Sequence, residues 1–302
     1  MSRRRKVAHS ALALAVSLAA LTFFLYSPTP TQAATIKGLK ILHVASPEKD
    51  LPIRDVYEWI PDVGNTDINT LPVVYLLHGW PGSPQSMVTG YVANLQKAFT
   101  AGVRPFIAVF PDGNAKTHID SEWADSADGK AMIETWLTTR VIPAVEGDHL
   151  RTREMRAISG FSMGGYGAGI IGLHHPELFS QIATISGYFV VDDLTGAFSS
   201  SKKIAAQTPA NYLTVAKNFR WFMAEGKDDY THPIRGQAVS WAAQLKSMKV
   251  PSTVVVAPGG HSYVFVGSMI PALTKWFIWP SVSSSMATPT PAPKSDTGVV
   301  SN

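Results

Sequence analysis

A serine hydroxyl, an imidazole and a carboxylate can together carry out acyl transfer, and this 302-residue sequence has all three at places where the chain reverses. The serine is Ser162, in Ile158-Ser159-Gly160-Phe161-Ser162-Met163-Gly164-Gly165. This run is a G-x-S-x-G, with an apolar β-rich segment before it and a small-residue helical segment after it. A serine hydroxyl is a poor nucleophile unless the backbone forces it clear of the sheet edge and a base takes its proton. A sharp strand-to-helix turn does the forcing. Glycines at 160 and 164 leave room where a Cβ would clash with the neighbouring strand and helix.

The base is expected at His261, which follows Pro258-Gly259-Gly260, a flexible turn after the last strand. From there the imidazole would act as general base in attack and as general acid toward the leaving group. A carboxylate must accept the other imidazole N–H and fix the tautomer. Glu225-Gly226-Lys227-Asp228-Asp229 offers three. Asp229 is the choice, Asp228 the runner-up and Glu225 the third, with the unused acids expected to be solvated turn residues. Two backbone N–H groups should hold the oxyanion: Met163, directly after the nucleophile, and Trp80, in Leu77-His78-Gly79-Trp80-Pro81-Gly82.

The elements that must position these residues alternate. Ile36–Val44 and Val56–Ile60 read as antiparallel strands. Leu71–Leu77, Phe106–Phe110, Met155–Ser159, Gln181–Ser186, Arg220–Ala224 and Thr253–Ala257 read as strands of a buried sheet. Helical patterns cover Met87–Thr100, Lys130–Val145, Met163–His174, Pro233–Met248 (with a proline in its first turn) and Val264–Trp279, the last kinked or restarted at Pro271. Tyr188–Asn218 lacks a period and reads as a loop-rich insertion, with Tyr188 and Phe189 as candidate residues lining an acyl pocket. The glycines after Ser162 make sense only if that helix packs very close to the sheet. The order predicts an α/β fold, a mostly parallel central sheet with helices on both faces. Chemistry in such sheets collects beyond the carboxyl ends of the strands. His78, Ser162, Asp229 and His261 all follow an expected strand.

Composition narrows the class. The formal net charge is +4, but Arg3, Arg4, Arg5 and Lys6 supply it, and the remaining basic and acidic side chains number 22 each. A basic patch for nucleic acid or acidic lipid is therefore not supported. Those four residues, the apolar Ala11–Tyr26 and the small residues around Ala33 read as a secretory signal over 1–33, cleaved before Ala34 and leaving no stable membrane span. The chain has no cysteine, so it forms no disulfide and uses no thiolate chemistry. Residues 34–280 are expected to form one catalytic domain. The Ser-, Thr- and Pro-rich 281–302 are expected to be disordered. No metal set, dinucleotide fingerprint or phosphate loop is present, so no cofactor is expected. His174-His175-Pro176-Glu177 groups two histidines and an acid, but adjacent helical residues are not expected to face one site.

The segments Val74-Tyr75-Leu76-Leu77-His78-Gly79, Phe110-Pro111-Asp112-Gly113, Glu134-Thr135-Trp136-Leu137, Gly160-Phe161-Ser162-Met163-Gly164-Gly165, His175-Pro176-Glu177-Leu178-Phe179 and Gly259-Gly260-His261-Ser262 resemble the esterase D family. The resemblance covers about Ile36 to Trp279. It implies the α/β-hydrolase fold, in which the chain order Ser162, acid, His261 is that of the catalytic triad. The family includes S-formylglutathione hydrolases, feruloyl and acetyl-xylan esterases, and the antigen 85 mycolyltransferases. The expected function is therefore a secreted serine esterase acting on a small-molecule or glycan-linked ester, with extracellular acyl transfer to a sugar or lipid alcohol as the alternative. The mycolyltransferases typically carry Ser-Met-Ala-Gly at the turn and an aspartate before the oxyanion-hole glycine. This chain departs from both, with Ser162-Met163-Gly164-Gly165 and His78.

Overall fold

The computed structural model describes residues 36–118, 120–191 and 196–281. The expected signal segment, and the tail beyond Ser281, lie outside them. No helix among the described residues is long and apolar enough to cross a membrane.

Eight strands form one sheet: β1 (Leu39–Ala45), β2 (Ile53–Trp59), β3 (Val73–Leu77), β4 (Ile107–Pro111), β5 (Arg156–Phe161), β6 (Gln181–Ile185), β7 (Arg220–Gly226) and β8 (Ser252–Ala257). Their spatial order is β1-β2-β4-β3-β5-β6-β7-β8. The β1–β2 and β2–β4 pairs are antiparallel and all later pairs are parallel. The unbroken apolar runs follow from double coverage. Val73, Tyr75 and Leu77 point to one core and Val74 and Leu76 to the other, because successive side chains alternate across a sheet.

Helices α1 (Pro84–Thr100) and α7 (Tyr263–Trp276) pack on one face through Met87, Tyr91, Leu95, Phe265 and Ile270. The other face is covered by α2 (133–146), α3 (Met163–His174) and α6 (Gln237–Ser247), with Trp136, Tyr166, Ile170 and Trp241 in its core. Every residue of α3 from Met163 to Leu173 is buried. A Cβ at Gly164 would lie 2.1 Å from the Leu77 carbonyl oxygen of β3, and one at Gly160 the same distance from the Gly164 carbonyl. The small residues therefore set the distance between this helix and the sheet.

Several boundaries differ from expectation. The expected helix over 130–145 starts at Ile133 and widens into a π-turn at Leu137–Val141, just before Pro143, whose nitrogen has no hydrogen to donate. The helix expected from Pro233 begins at Gln237, because Gly236 is left-handed (φ 80°) and the Glu225 carboxylate accepts the Gly236 and Ala238 N–H groups. Helix α7 runs through Pro271 without restarting and ends at Trp276. Within the loop-rich insertion lie two short helices, α4 (Ser201–Ala206) and α5 (Leu213–Ala216).

Two charge clusters tie these layers together, the first buried and the second half-buried. Glu146 accepts from Arg156 at 2.7 and 2.9 Å, from the Arg151 N–H at 2.6 Å and from the Tyr75 hydroxyl at 3.0 Å. The second cluster corrects an expectation. Glu134 Oε1 lies 2.9 Å from His174 Nδ1 and 2.9 Å from His175 Nε2. The two histidines converge because His175 is the residue at which α3 ends (φ −123°, ψ 63°), so it is not held to helical spacing. His174 Nε2 also faces the Ala206 carbonyl and the Tyr212 hydroxyl, which attaches the insertion to α2 and α3.

Burial disfavours charge on all three groups of this cluster, but their mutual hydrogen bonds and charges outweigh it. Glu134 is pulled down to about 2 and both histidines are raised. Glu134 therefore contributes stability above its ordinary 4.5, and loses it as pH falls toward about 2. The histidines contribute below their ordinary 6.5, and lose that contribution as pH rises through their raised folded values. The Tm difference between the parent and Glu134→Gln is expected to be largest between those two ordinary values and to shrink on either side. A difference that stays flat across a pH series of thermal melts would contradict this.

Candidate active site

At the end of β5 the backbone turns abruptly. Ser162 has φ 58° and ψ −123°, outside the regions that side chains favour. Its N–H donates to the Ile185 carbonyl of β6 at 3.0 Å, which fixes the turn to the sheet. The hydroxyl is directed to His261, with Oγ 2.8 Å from Nε2.

The His261 turn is clamped rather than loose. Asp228 N–H donates to the Gly259 carbonyl at 3.0 Å, and Asp228 Oδ2 accepts the Gly259 N–H at 3.2 Å. Gly259 has φ 133°, and a Cβ there would meet the Phe265 ring at 2.7 Å. The imidazole lies against the Phe161 ring, with centroids 4.7 Å apart.

His261 Nδ1 is 2.8 Å from Asp229 Oδ2. A carboxylate only accepts, so Nδ1 carries the hydrogen and Nε2 is left to accept from the serine hydroxyl. Asp229 is fully buried, and its Oδ1 accepts the Thr231 N–H at 3.1 Å. Burial alone would raise its pKa. The hydrogen bond and charge of His261, with the Thr231 N–H, hold it below the ordinary carboxylate value. Of the three acids, the structure places Asp229 against the imidazole. Glu225 is not a solvated turn residue: it is buried and caps α6. Asp228 is exposed, yet it holds the histidine turn.

Met163 is the first residue of α3, so its N–H has no intrahelical acceptor and lies beside the nucleophile. The loop after β3 reaches the same place, since a Cβ at Gly79 would sit 2.9 Å from Ser162 Cβ. Trp80 follows in that loop, half-buried.

The two expected pocket residues are placed differently. Phe189 is a core residue, 2% exposed and stacked on Trp241 at 5.1 Å. A loop position after a strand says nothing about side-chain direction, which here is decided by the ring on α6. Tyr188 stacks on Tyr166 at 4.8 Å and its hydroxyl donates to Glu122. Two residues near the site escaped the sequence reading. In the sequence Phe161 stands out only as part of the serine motif, directly before the nucleophile. Trp123 lies in a segment with no period. Its ring fills the space left by Gly113 and Gly167, and its indole N–H donates to the His78 carbonyl at 2.9 Å.

Comparisons with known proteins bear on the family and the fold. An esterase of Mycobacterium tuberculosis is 26% identical over 239 residues, covering 68% of this chain and 51% of that protein. An acetyl esterase of Caldicellulosiruptor saccharolyticus is 29% identical over 163 residues, covering 52% of this chain and 53% of that protein. The chain thus spans about half the length of these curated relatives. Among solved structures, a ferulic acid esterase superposes with a TM-score of 0.65 at 21% identity, covering 79% of this chain and 98% of that one. A Staphylococcus aureus fluorophosphonate-binding serine hydrolase gives 0.63 at 20% identity, covering 79% and 97%. These similarities show the α/β-hydrolase fold. The family model described as "Putative esterase" matches residues 58–276. The chain therefore belongs to that esterase family.

Proposed function

We propose that this protein is a secreted serine carboxylic-ester hydrolase that works through an acyl-enzyme on Ser162. The observation that carries the proposal is the continuous hydrogen-bond chain Ser162–His261–Asp229, with both contacts at 2.8 Å. His261 Nε2 takes the hydroxyl proton as Ser162 Oγ attacks the ester carbonyl. The carbonyl π electrons move onto the oxygen, and the Met163 and Trp80 N–H groups donate hydrogen bonds to the oxyanion that forms. Two such fixed donors contribute several kcal/mol, on the order of 3 for each. Collapse of the tetrahedral species expels the alcohol, which takes its proton from His261. Water then attacks the acyl-serine, gives its proton to His261, and the free acid leaves as Oγ is reprotonated. Asp229 keeps the ring in the required tautomer and stabilises the imidazolium. The substrate is a small or glycan-linked ester. Relatives named acetyl esterase and ferulic acid esterase support that class.

Ser162→Ala is expected to abolish hydrolysis of short p-nitrophenyl esters and covalent labelling by a fluorophosphonate. Parent-like turnover in this variant would refute the acyl-enzyme. With the parent and excess alcohol acceptor, free acid as the sole product identifies hydrolysis, whereas a new ester identifies acyl transfer as the natural reaction.

Asp229→Asn is expected to lower kcat by about 10⁴, since an amide cannot hold the imidazole in the needed tautomer. Asp228→Asn, which touches only the turn, should lower it far less. Kinetics in which the 228 variant is the more damaged would move the acid role to Asp228.

Export is supported by the basic and apolar N-terminal segment. Expression with the full sequence in a secreting bacterial host should yield culture-medium protein beginning at Ala34. Detection only of uncleaved, cell-retained chain would contradict it.

A further inference from the structure

His78 is a fully buried imidazole that the reaction above does not use. The Gly113 N–H donates to its Nε2 at 3.0 Å. A backbone N–H only donates, so Nε2 carries no hydrogen. The ring proton is on Nδ1, which faces the Gly79 carbonyl at 2.9 Å and donates to it. Asp112 Oδ1, 3.5 Å from Nε2, is engaged instead by the N–H and side-chain amide of Asn114. The histidine is itself gripped. The Trp123 indole donates to its carbonyl, and the two rings meet edge to face at 5.1 Å.

The bond to Gly79 matters because of what shares its peptide plane. The Gly79–Trp80 peptide is trans, and in a trans peptide the C=O and N–H point in opposite directions. Pinning the Gly79 carbonyl therefore aims the Trp80 N–H. The same loop abuts the nucleophile at Gly79, and Gly82 folds over it so closely that a Cβ there would be 2.4 Å from the Gly79 oxygen. Asn114 holds that fold by donating to the Gly82 carbonyl at 2.8 Å.

We propose that His78 is a positioning residue of the oxyanion hole: its Nδ1–H fixes the Gly79–Trp80 peptide so that the Trp80 N–H meets the developing oxyanion. This rests on the acyl-enzyme reading above.

Two substitutions separate the two ring bonds. An asparagine amide nitrogen can occupy the Nδ1 position and still donate to Gly79. A glutamine oxygen can occupy the Nε2 position and accept from Gly113, but leaves the Gly79 carbonyl without its donor. Active sites are counted by fluorophosphonate labelling carried to completion. kcat and KM on a p-nitrophenyl ester are then compared with the Ki of phenylboronic acid, whose tetrahedral serine adduct places an oxygen in the hole. His78→Gln should lower kcat per labelled site by about 10- to 100-fold, with Ki weakened in proportion. KM should stay within about twofold. His78→Asn should recover most of the loss. Equal losses in the two variants, or a drop only in labelled sites and Tm with per-site kcat intact, would overturn the role of His78 while Ser162 remains essential. Activity surviving in Ser162→Ala would instead overturn the acyl-enzyme reading, and this proposal with it.

Discussion

The close approach of one helix to the sheet underlies everything else in this structure. Helix α3 lies so near β3 and β5 that backbone meets backbone at Gly160 and Gly164. That proximity lets the chain reverse at Ser162 within a single residue and present Oγ above the sheet edge. The conformation is unfavourable by about 1–3 kcal/mol for a residue with a Cβ. It persists because its surroundings allow no alternative. The serine N–H is tied to β6, and the helix that follows is buried along nearly its whole length. A longer side chain at either glycine would lift the helix and release the turn.

The same economy of space governs the partners of the serine. Three acids within five residues at the end of β7 do three different jobs. Glu225 closes the N-terminus of α6, Asp228 fastens the histidine turn, and Asp229 holds the imidazole. The first two act on backbone and the third on a side chain. Aromatic rings do the remaining placement. Phe161 lies against His261, and Trp123 occupies the gap between Gly113 on one loop and Gly167 on α3. Because Trp123 also bonds the His78 carbonyl, the nucleophile helix and the loop after β3 are held to one rigid reference.

Much of the scaffold was legible from local pattern. The continuous apolar runs of β3, β4, β5 and β6 can be stable only when both faces are covered, and α3 began and ended where its small-residue run does. Boundaries slipped where a distant group supplied what local chemistry lacked. The start of α6 is set by a carboxylate on β7, not by Pro233. The convergence of His174 and His175 on Glu134 depends on a helix ending at one residue and on a partner 40 positions away. The place of Phe189 in the chain points to a pocket, but its ring packs where Trp241 gives it an apolar surface.

By itself the sequence determined which chemical groups were present, their order, and the alternation of strands and helices that brings such groups to one edge of a sheet. These follow from side-chain type and from the 2.0 and 3.6 residue periods, which are local properties. Only the tertiary structure decided which of three neighbouring acids faces the imidazole, that Tyr188 and Phe189 both pack into the core, and which nitrogen of His78 carries its proton. Those outcomes depend on contacts between residues far apart in the chain, such as Asp229 with His261 and Phe189 with Trp241, and no local period encodes them.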